Sequence, residues 1–583
     1  FENGAQGRNR TTDTRIFNPW LQEQHMLFNP QKHNIAYRDP ETRELMQKVI
    51  DFFEDKGLSR IKKDWHAKTW NHDFVEFMKE NQVLATLMTP SGYGAENSRW
   101  DTWRNVKFAE ITAFYGITYW YTFQVSMLGL GPVWLGSNEK VKQRTSRLLQ
   151  EGHVFAFGLS EKEHGADIYS TDMLLEPGGS GHYLANGDKY YIGNANVAAL
   201  VSTFGKRSDS GDYVFFAVDS RHENYRLLKN TLNEQNDVAE FEVVNYPIGE
   251  DDIMEQGPRA WDNMLNTINI CKFNLGFGSI GLCEHAFYEA LDHAASRNVY
   301  GQYVTDFPHV RRLFVDAYAR LCAMKLFAER ATDYMRSASS EDRRYLLFNP
   351  MVKMKVTSEG EKVIDHLWDV IAAKGFEAEP FFEIAAHEIR ALPKLEGTVH
   401  VNMALVVKFM KNYFFNPAEF PEIGRRDEPG NDDFLFNQGP ARGLGKIRFH
   451  DYALAYKSVD LANVRVFEEQ IAAFRDFLLK APPDAEQSKD IDYLLTLGDC
   501  FTLVVYGQLI LEGRQFSAAS DDLIEEIFDV LIRDFSRHAV TILTKPSNSE
   551  RQVEGARALI KKPVPDSERF ERVFNDEFYA LKG

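Results

Sequence analysis

The sequence predicts an α+β protein, mostly α, in which a helical N-terminal domain, a middle β domain and a helical C-terminal half follow one another. Two observations predict it. Apolar residues recur at helical spacing on both sides of residues 153–260, where short alternating runs are broken by Gly, Asn, Asp and Ser. A polar stretch at 422–434 then precedes three further long helical patterns. At 583 residues with 44% hydrophobic side chains, the chain is long enough for about three or four domains or layers. We divide it at 1–152, 153–260, 261–425 and 426–583.

From Pro40 to Gly152, residues such as Leu45, Met46, Val49, Ile50 and Phe53 share a helical face, and the aromatic-rich stretch Phe108–Leu135 continues the pattern. Turns are marked by Thr89-Pro90-Ser91-Gly92 and by Gly129 to Pro132. The β-like runs are HVFAFGLS, HYLANGDKYYIG, AALVSTFG, DYVFFAVDS and AEFEVVNYPI, and Asn186-Gly187 reads as a hairpin turn because both residues tolerate positive φ. After Trp261 helical periodicity returns, with Leu265, Ile268, Cys271 and Leu275 on one face. EIGRRDEPGNDDF (422–434) reads as a linker or exposed crossing, and helices are expected near Leu454–Lys480, Lys489–Gln515 and Asp521–Lys545.

A formal net charge of -18 disfavours nucleic acid and anionic membrane as partners and requires any site for an anionic substrate to be locally basic. The four cysteines, Cys271, Cys283, Cys322 and Cys500, have no spacing of a zinc site or disulfide framework, so a reducing compartment and no metal are expected. No segment has the roughly 18 uninterrupted apolar residues of a membrane span, and residues 1–20 have no signal-like apolar core. A cytoplasmic protein without integral membrane association is the expectation.

Four segments carry chemistry: FAFGLSEKEHGAD (155–167), HYLANGDKYYIGNANVAALV (182–201), RNVYGQYVTDF (297–307) and WDVIAAKGFEAEPFFEIAAHEIRALPKLEGTVHVNMALV (368–406). Singly, each has a plainer reading: a strand-end turn, a hairpin, a helix-end arginine, and a glutamate favoured by a helix dipole. Together, in order and spacing, they resemble the acyl-CoA dehydrogenase and oxidase superfamily from about residue 40 to 425. The resemblance implies a β-barrel-like or β-sandwich middle domain, a C-terminal four-helix bundle and an extra helical C-terminal region.

It also implies roles. In the first segment Phe157, Leu159 and Ser160 would lie beside a flavin, with Ala166 where a serine usually contacts the CoA portion and Lys162 where proline is usual. Tyr191 and Gly193 stand where tryptophan and threonine usually pack on the flavin, so at Gly193 only a backbone amide remains. Arg297, with Tyr300 and Gly301, matches an arginine motif that reaches the flavin pyrophosphate of a neighbouring subunit, and the planar guanidinium suits phosphate. Pro308 replaces a flavin-contacting glutamine, and Lys272 stands where an arginine near the active site is usual.

Glu396 falls on the family's catalytic glutamate, followed by Gly397 and Thr398; Thr398 reads as a helix cap with flavin contact. His400, Asp369 and Ala373 join the implied flavin contacts, although Asp369 replaces a glutamine and Ala372-Ala373 a glycine pair. Asn269, Lys272, Leu395 and Gly397 join the implied substrate contacts. The α proton beside a thioester is weakly acidic, so its base must be a carboxylate within hydrogen-bond reach in a dry site, where burial raises its pKa.

What the resemblance implies is an FAD flavoprotein of fatty acid metabolism and beta-oxidation. It would convert an acyl-CoA to the trans-2-enoyl-CoA, pass electrons to an electron-transferring flavoprotein, and form a homodimer or higher homo-oligomer. Two alternatives stay open: an acyl-CoA oxidase, towards which His164-Gly165 and the long helical C-terminal region lean, and a non-catalytic scaffold with a decayed flavin site.

Overall fold

The computed structural model describes residues 26–582 except residues 34, 36, 180 and 442. The segment read for a signal-like core, residues 1–20, lies outside the described residues.

The N-terminal helices centre on two that are almost wholly buried, Thr102–Tyr115 and Ile117–Leu135. The second is apolar all round, as a helix enclosed on every side must be. One side of it rests on the sheet so closely that a β-carbon on Gly129 would stand 2.6 Å from the carbonyl oxygen of Ala156. Thr102–Tyr115 lies against the long Asn274–Ser296 helix with equal intimacy, since a β-carbon on Gly281 would collide with the Glu110 carbonyl.

Eight strands form one sheet: β1 (Phe155–Gly158), β2 (Leu174–Gly179), β3 (His182–Gly193), β4 (Leu200–Arg207), β5 (Tyr213–Val218), β6 (Tyr225–Asn230), β7 (Val238–Ile248) and β8 (Ile253–Gln256). Their order is β6-β7-β3-β2-β4-β5-β8, and β1 pairs in parallel with β4, which β2 also pairs in parallel further along. Alternation along a strand divides the faces: Phe215 and Ala217 join the main core, whereas Val214, Phe216 and Val218 belong to a smaller core on the other side with Ile192 and Phe241.

The hairpin expectation at Asn186-Gly187 is corrected. These residues lie inside β3, at a register shift against β7, where Gly187 at φ 144° bends the strand; the β2–β3 turn falls at Gly179 and His182. Strands β2, β6 and β8 escaped the sequence reading: β2 carries Pro177 and two glycines, and β6 is a largely exposed end strand.

Beyond the sheet, Asn274–Ser296, Pro308–Arg336 and Thr357–Ile371 pack on one another. The expected C-terminal helices appear as Ala453–Lys457 with Ala462–Lys480, Ile491–Arg514 and Asp521–Leu543, followed by Glu550–Ala558 and Ser567–Arg572. Among the described residues only Ile491–Arg514 is long and apolar enough to cross a membrane, and most of it is buried against Pro308–Arg336 and Asp521–Leu543.

The stretch 422–434 is not an exposed crossing. Arg425 pairs with Glu329 at 2.6 Å and lies over the Trp103 ring, Asp432 caps the Thr102 amide at 2.7 Å, and Asn431 accepts from the Trp100 amide at 2.8 Å. Its polar residues satisfy buried groups, which is why composition alone misplaces it.

Candidate active site

Glu396 stands on a turn of two left-handed residues, with φ 50° at Glu396 and 86° at Gly397. A non-glycine residue there is uncommon and costs on the order of 1 kcal/mol or more, so surrounding bonds must hold it. Thr398 caps the Val399–Val406 helix, accepting from the Val401 amide at 3.4 Å, and Asn402 Nδ2 donates to the carbonyls of Gly397 and Thr398 at 3.1 and 3.0 Å. Beneath the turn, Lys353 Nζ donates to the Pro393 carbonyl at 2.7 Å and to that of Gly397.

The carboxylate faces inward. Gln124 Nε2 donates to Glu396 Oε1 at 2.7 Å, and Gln124 is itself fixed by Asn274 Nδ2 at 3.0 Å and the Cys271 carbonyl at 3.2 Å. Glu396 Oε2 is buried and has no hydrogen-bond partner among the described residues. Burial pushes the carboxyl up to about 7, against the opposing pull of Gln124, Lys353 and Lys272. Burial brings Lys272, at the end of the Pro258–Cys271 helix, down to about 8, and Lys353 down to about 7, while Glu396 draws both upward. Burial, then Glu396, raises the Tyr121 phenol.

Gln124 and Lys353 were not found from the sequence. A signal existed: Gln124 is the sole amide of the apolar run ITYWYTFQVSMLGLGPVWL, and Lys353 sits in the apolar run around MVKMKV. Buried polar residues in such runs need partners.

The other residues singled out fall in three places. Near Glu396 lie Lys272 and the turn residues Leu395, Gly397 and Thr398; His400 is exposed one turn beyond, and Asn269 is buried, its Nδ2 without a partner among the described residues. At the end of the sheet, Ser160 Oγ donates to the Tyr190 carbonyl at 2.7 Å while the Tyr190 amide donates back to Ser160 at 2.9 Å, tying the segment after β1 to β3. Tyr191 is 60% exposed at φ 63°; Phe157 stacks on Phe215, Leu159 packs on the core, and Ala166 is exposed. Gly193 faces the Tyr121 ring.

The third place is the far end of the Asn274–Ser296 helix. Arg297 ends that helix exposed, Tyr300 is 94% exposed at φ 54°, and Arg297 and Lys374 both act on His293. Asp369, Ala372 and Ala373 are exposed there too, and Ala372 keeps φ 55°, a glycine conformation on an alanine. The helix has 23 residues, about 35 Å at 1.5 Å each, so Arg297 and the Lys272–Glu396 pair stand at opposite ends of it.

Two other features lie apart from this geometry. An open groove of about 460 Å³ is lined by Leu461, Asp521, Asp522, Glu525 and Arg569 in the C-terminal region. Glu161, His164 and Asp172 bring possible ligand atoms within 4.8 Å of one another, but Glu161 Oε1 is already paired with Lys189 at 2.6 Å.

The family model for the acyl-CoA dehydrogenase C-terminal domain matches residues 259–411. The chain is 22% identical over 376 residues to the very long-chain specific acyl-CoA dehydrogenase, mitochondrial, of Rattus norvegicus, covering 61% of this chain and 55% of that protein. It is 21% identical over 310 residues to the Caffeyl-CoA reductase-Etf complex subunit CarC of Acetobacterium woodii, covering 52% of this chain and 79% of that one. The chain thus spans about half the length of the rat relative. In fold, an acyl-CoA dehydrogenase of Bacillus anthracis complexed with FAD superposes with a TM-score of 0.69 at 15% identity, over 96% of this chain and 98% of that one.

Helices, sheet and helical bundle with a buried carboxylate on a left-handed turn define the class: an α+β protein of the acyl-CoA dehydrogenase fold. Residues 259–411 are similar to the acyl-CoA dehydrogenase C-terminal domain, and a further helical region follows them in this chain.

Proposed function

We propose that the protein is an FAD-dependent acyl-CoA dehydrogenase, with Glu396 as the base that removes the α proton of an acyl thioester. The observation that carries this reading is the buried Glu396 Oε2, an acceptor without a hydrogen-bond partner among the described residues, on a carboxyl raised to about 7. At that value about half of it is ionised at neutral pH, and the ionised form is basic enough to take a carbon-bound proton.

Gln124 holds the other oxygen, so the carboxylate presents one fixed edge to substrate. The residues around it suit the cofactor. Ser160 and Thr398 keep acceptor capacity on their hydroxyls, Tyr191 offers an exposed ring, and Ala372 preserves a turn whose backbone stays open. FAD held by these residues would accept the β hydride. Glu396 supplies the proton abstraction, and Lys272 adds positive charge close to it.

Arg297 stands too far from Glu396, along a helix of about 35 Å, to serve the same cofactor within one chain. We therefore assign Arg297 and the Ala372-Ala373 turn to the site of a second copy in a homodimer or larger homo-oligomer; likeness to a subunit of a caffeyl-CoA reductase-Etf complex supports an electron-transferring flavoprotein as acceptor. Mixing Glu396→Gln and Arg297→Ala subunits should restore part of the activity that each lacks alone.

The test is an absorption spectrum of the purified protein, bleached anaerobically with a panel of acyl-CoAs, for wild type and Glu396→Gln. A yellow protein that bleaches only with Glu396 intact supports the reading. A colourless protein that takes up no added FAD overturns it in favour of a scaffold, and peroxide release in air selects the oxidase reaction instead.

A further inference from the structure

Lys353 occupies a five-residue π-helical turn, Val352–Val356, that is wholly buried and whose one other polar residue, Lys355, is paired with Glu359 at 2.6 Å. Such turns displace a side chain from the register of the surrounding helix and recur at functional sites. This one carries Lys353 beneath the Glu396 turn, where its ammonium donates to the carbonyls of Pro393 and Gly397, three residues before the base and one after it. Of two successive left-handed residues, Glu396 lies between these anchors and Gly397 is one of them.

We propose that Lys353 is the positioning residue of the site: its ammonium clamps the Pro393–Gly397 turn from below, holds Glu396 in its left-handed conformation, and supplies the positive charge that keeps the base ionised. This rests on the assignment of Glu396 as the base. The clamp has two halves of different chemistry. Asn402 Nδ2 holds Gly397 and Thr398 from the helix side without charge, and Lys353 holds the turn from the core side with charge. The charged groups facing Lys353 are Glu396, Lys272 and Lys394. The two lysines oppose its protonation and Glu396 favours it, so charge on Lys353 and charge on Glu396 support one another.

The test compares Lys353→Met, Lys353→Gln and Asn402→Ala by backbone amide hydrogen exchange over residues 394–398, and by deuterium uptake at the α carbon of an acyl-CoA in D2O. The second measurement needs only the base. Lys353→Met should speed amide exchange of the turn about tenfold or more, and should move the pH midpoint of α-carbon exchange upward. Asn402→Ala should speed amide exchange while leaving the pH midpoint in place. Lys353→Gln, still a donor but neutral, should keep part of the turn's protection and yet move the midpoint, and it decides the matter if Lys353→Met does not fold. Unchanged amide exchange in a folded Lys353→Met, or an unmoved midpoint in Lys353→Gln, overturns the proposal. Absence of α-carbon exchange in the wild type would instead overturn the assignment of Glu396, with amide exchange still deciding whether Lys353 clamps the turn.

Discussion

Tyr121 fills the space beside Gly193: its phenol oxygen lies 2.7 Å from the point where a β-carbon on Gly193 would stand. The absence of a side chain at 193 and the presence of a tyrosine at 121 are therefore one packing solution. Gly193→Ala should destabilise the protein by about 1–3 kcal/mol, because the ring must leave its position. Adding Tyr121→Ala should relieve the clash, so the effects of the two changes should be non-additive in a double-mutant cycle read by urea unfolding.

Glu396 predicts opposite pH trends for activity and stability. Deuterium exchange at the substrate α carbon should rise with pH as the carboxyl ionises and level off above about 7. For stability, a carboxyl raised in the folded state from 4.5 to about 7 binds more protons folded than unfolded. Its contribution is intact below the unfolded value and is lost as pH rises to about 7, a loss on the order of 2–3 kcal/mol. Glu396→Gln escapes this loss, so its unfolding free energy should gain on the wild type between those two pH values and run parallel above them.

Ala372 holds φ 55° and ψ -135°, a conformation that glycine adopts without penalty and alanine does not. Ala372→Gly should raise the unfolding free energy by about 1 kcal/mol or more, the reverse of the usual cost of glycine. A fall in stability would show that the turn adopts another conformation in solution.

The C-terminal region is held to the bundle by a buried ionic cluster. Arg320 grips Asp534 with two bonds at 2.7 and 3.0 Å and also pairs with Glu359; Lys362 reaches Asp534 at 3.2 Å. Removing one partner leaves buried charge uncompensated, so Asp534→Ala should cost about 3–5 kcal/mol. Limited proteolysis should then cut first within the region after residue 460, because Asp534 lies on the Asp521–Leu543 helix that this cluster anchors.

The order of helices, sheet and helices was legible because hydrophobic period changes where the structure changes. The turn at Asn186-Gly187 was misplaced because the same freedom of φ that makes a tight turn also makes a bulge, and pairing with β7 decides between them. The polar stretch at 422–434 resembled a linker because composition does not distinguish a solvated arginine from Arg425, which is paired with half-buried Glu329.

At the candidate site, the sequence by itself marked Glu396, Gly397 and Thr398 through their place in the family resemblance, and it determined the local conformation there, since a residue free to turn and a helix cap are local in the chain. Only the tertiary structure brought Gln124 and Lys353 to that carboxylate, and only it decided that Tyr121 stands where Gly193 leaves room. The reason is physical. Backbone conformation and capping depend on neighbours along the chain, whereas desolvation of a carboxyl and the choice of its partners depend on residues up to 272 positions away, as Gln124 is from Glu396.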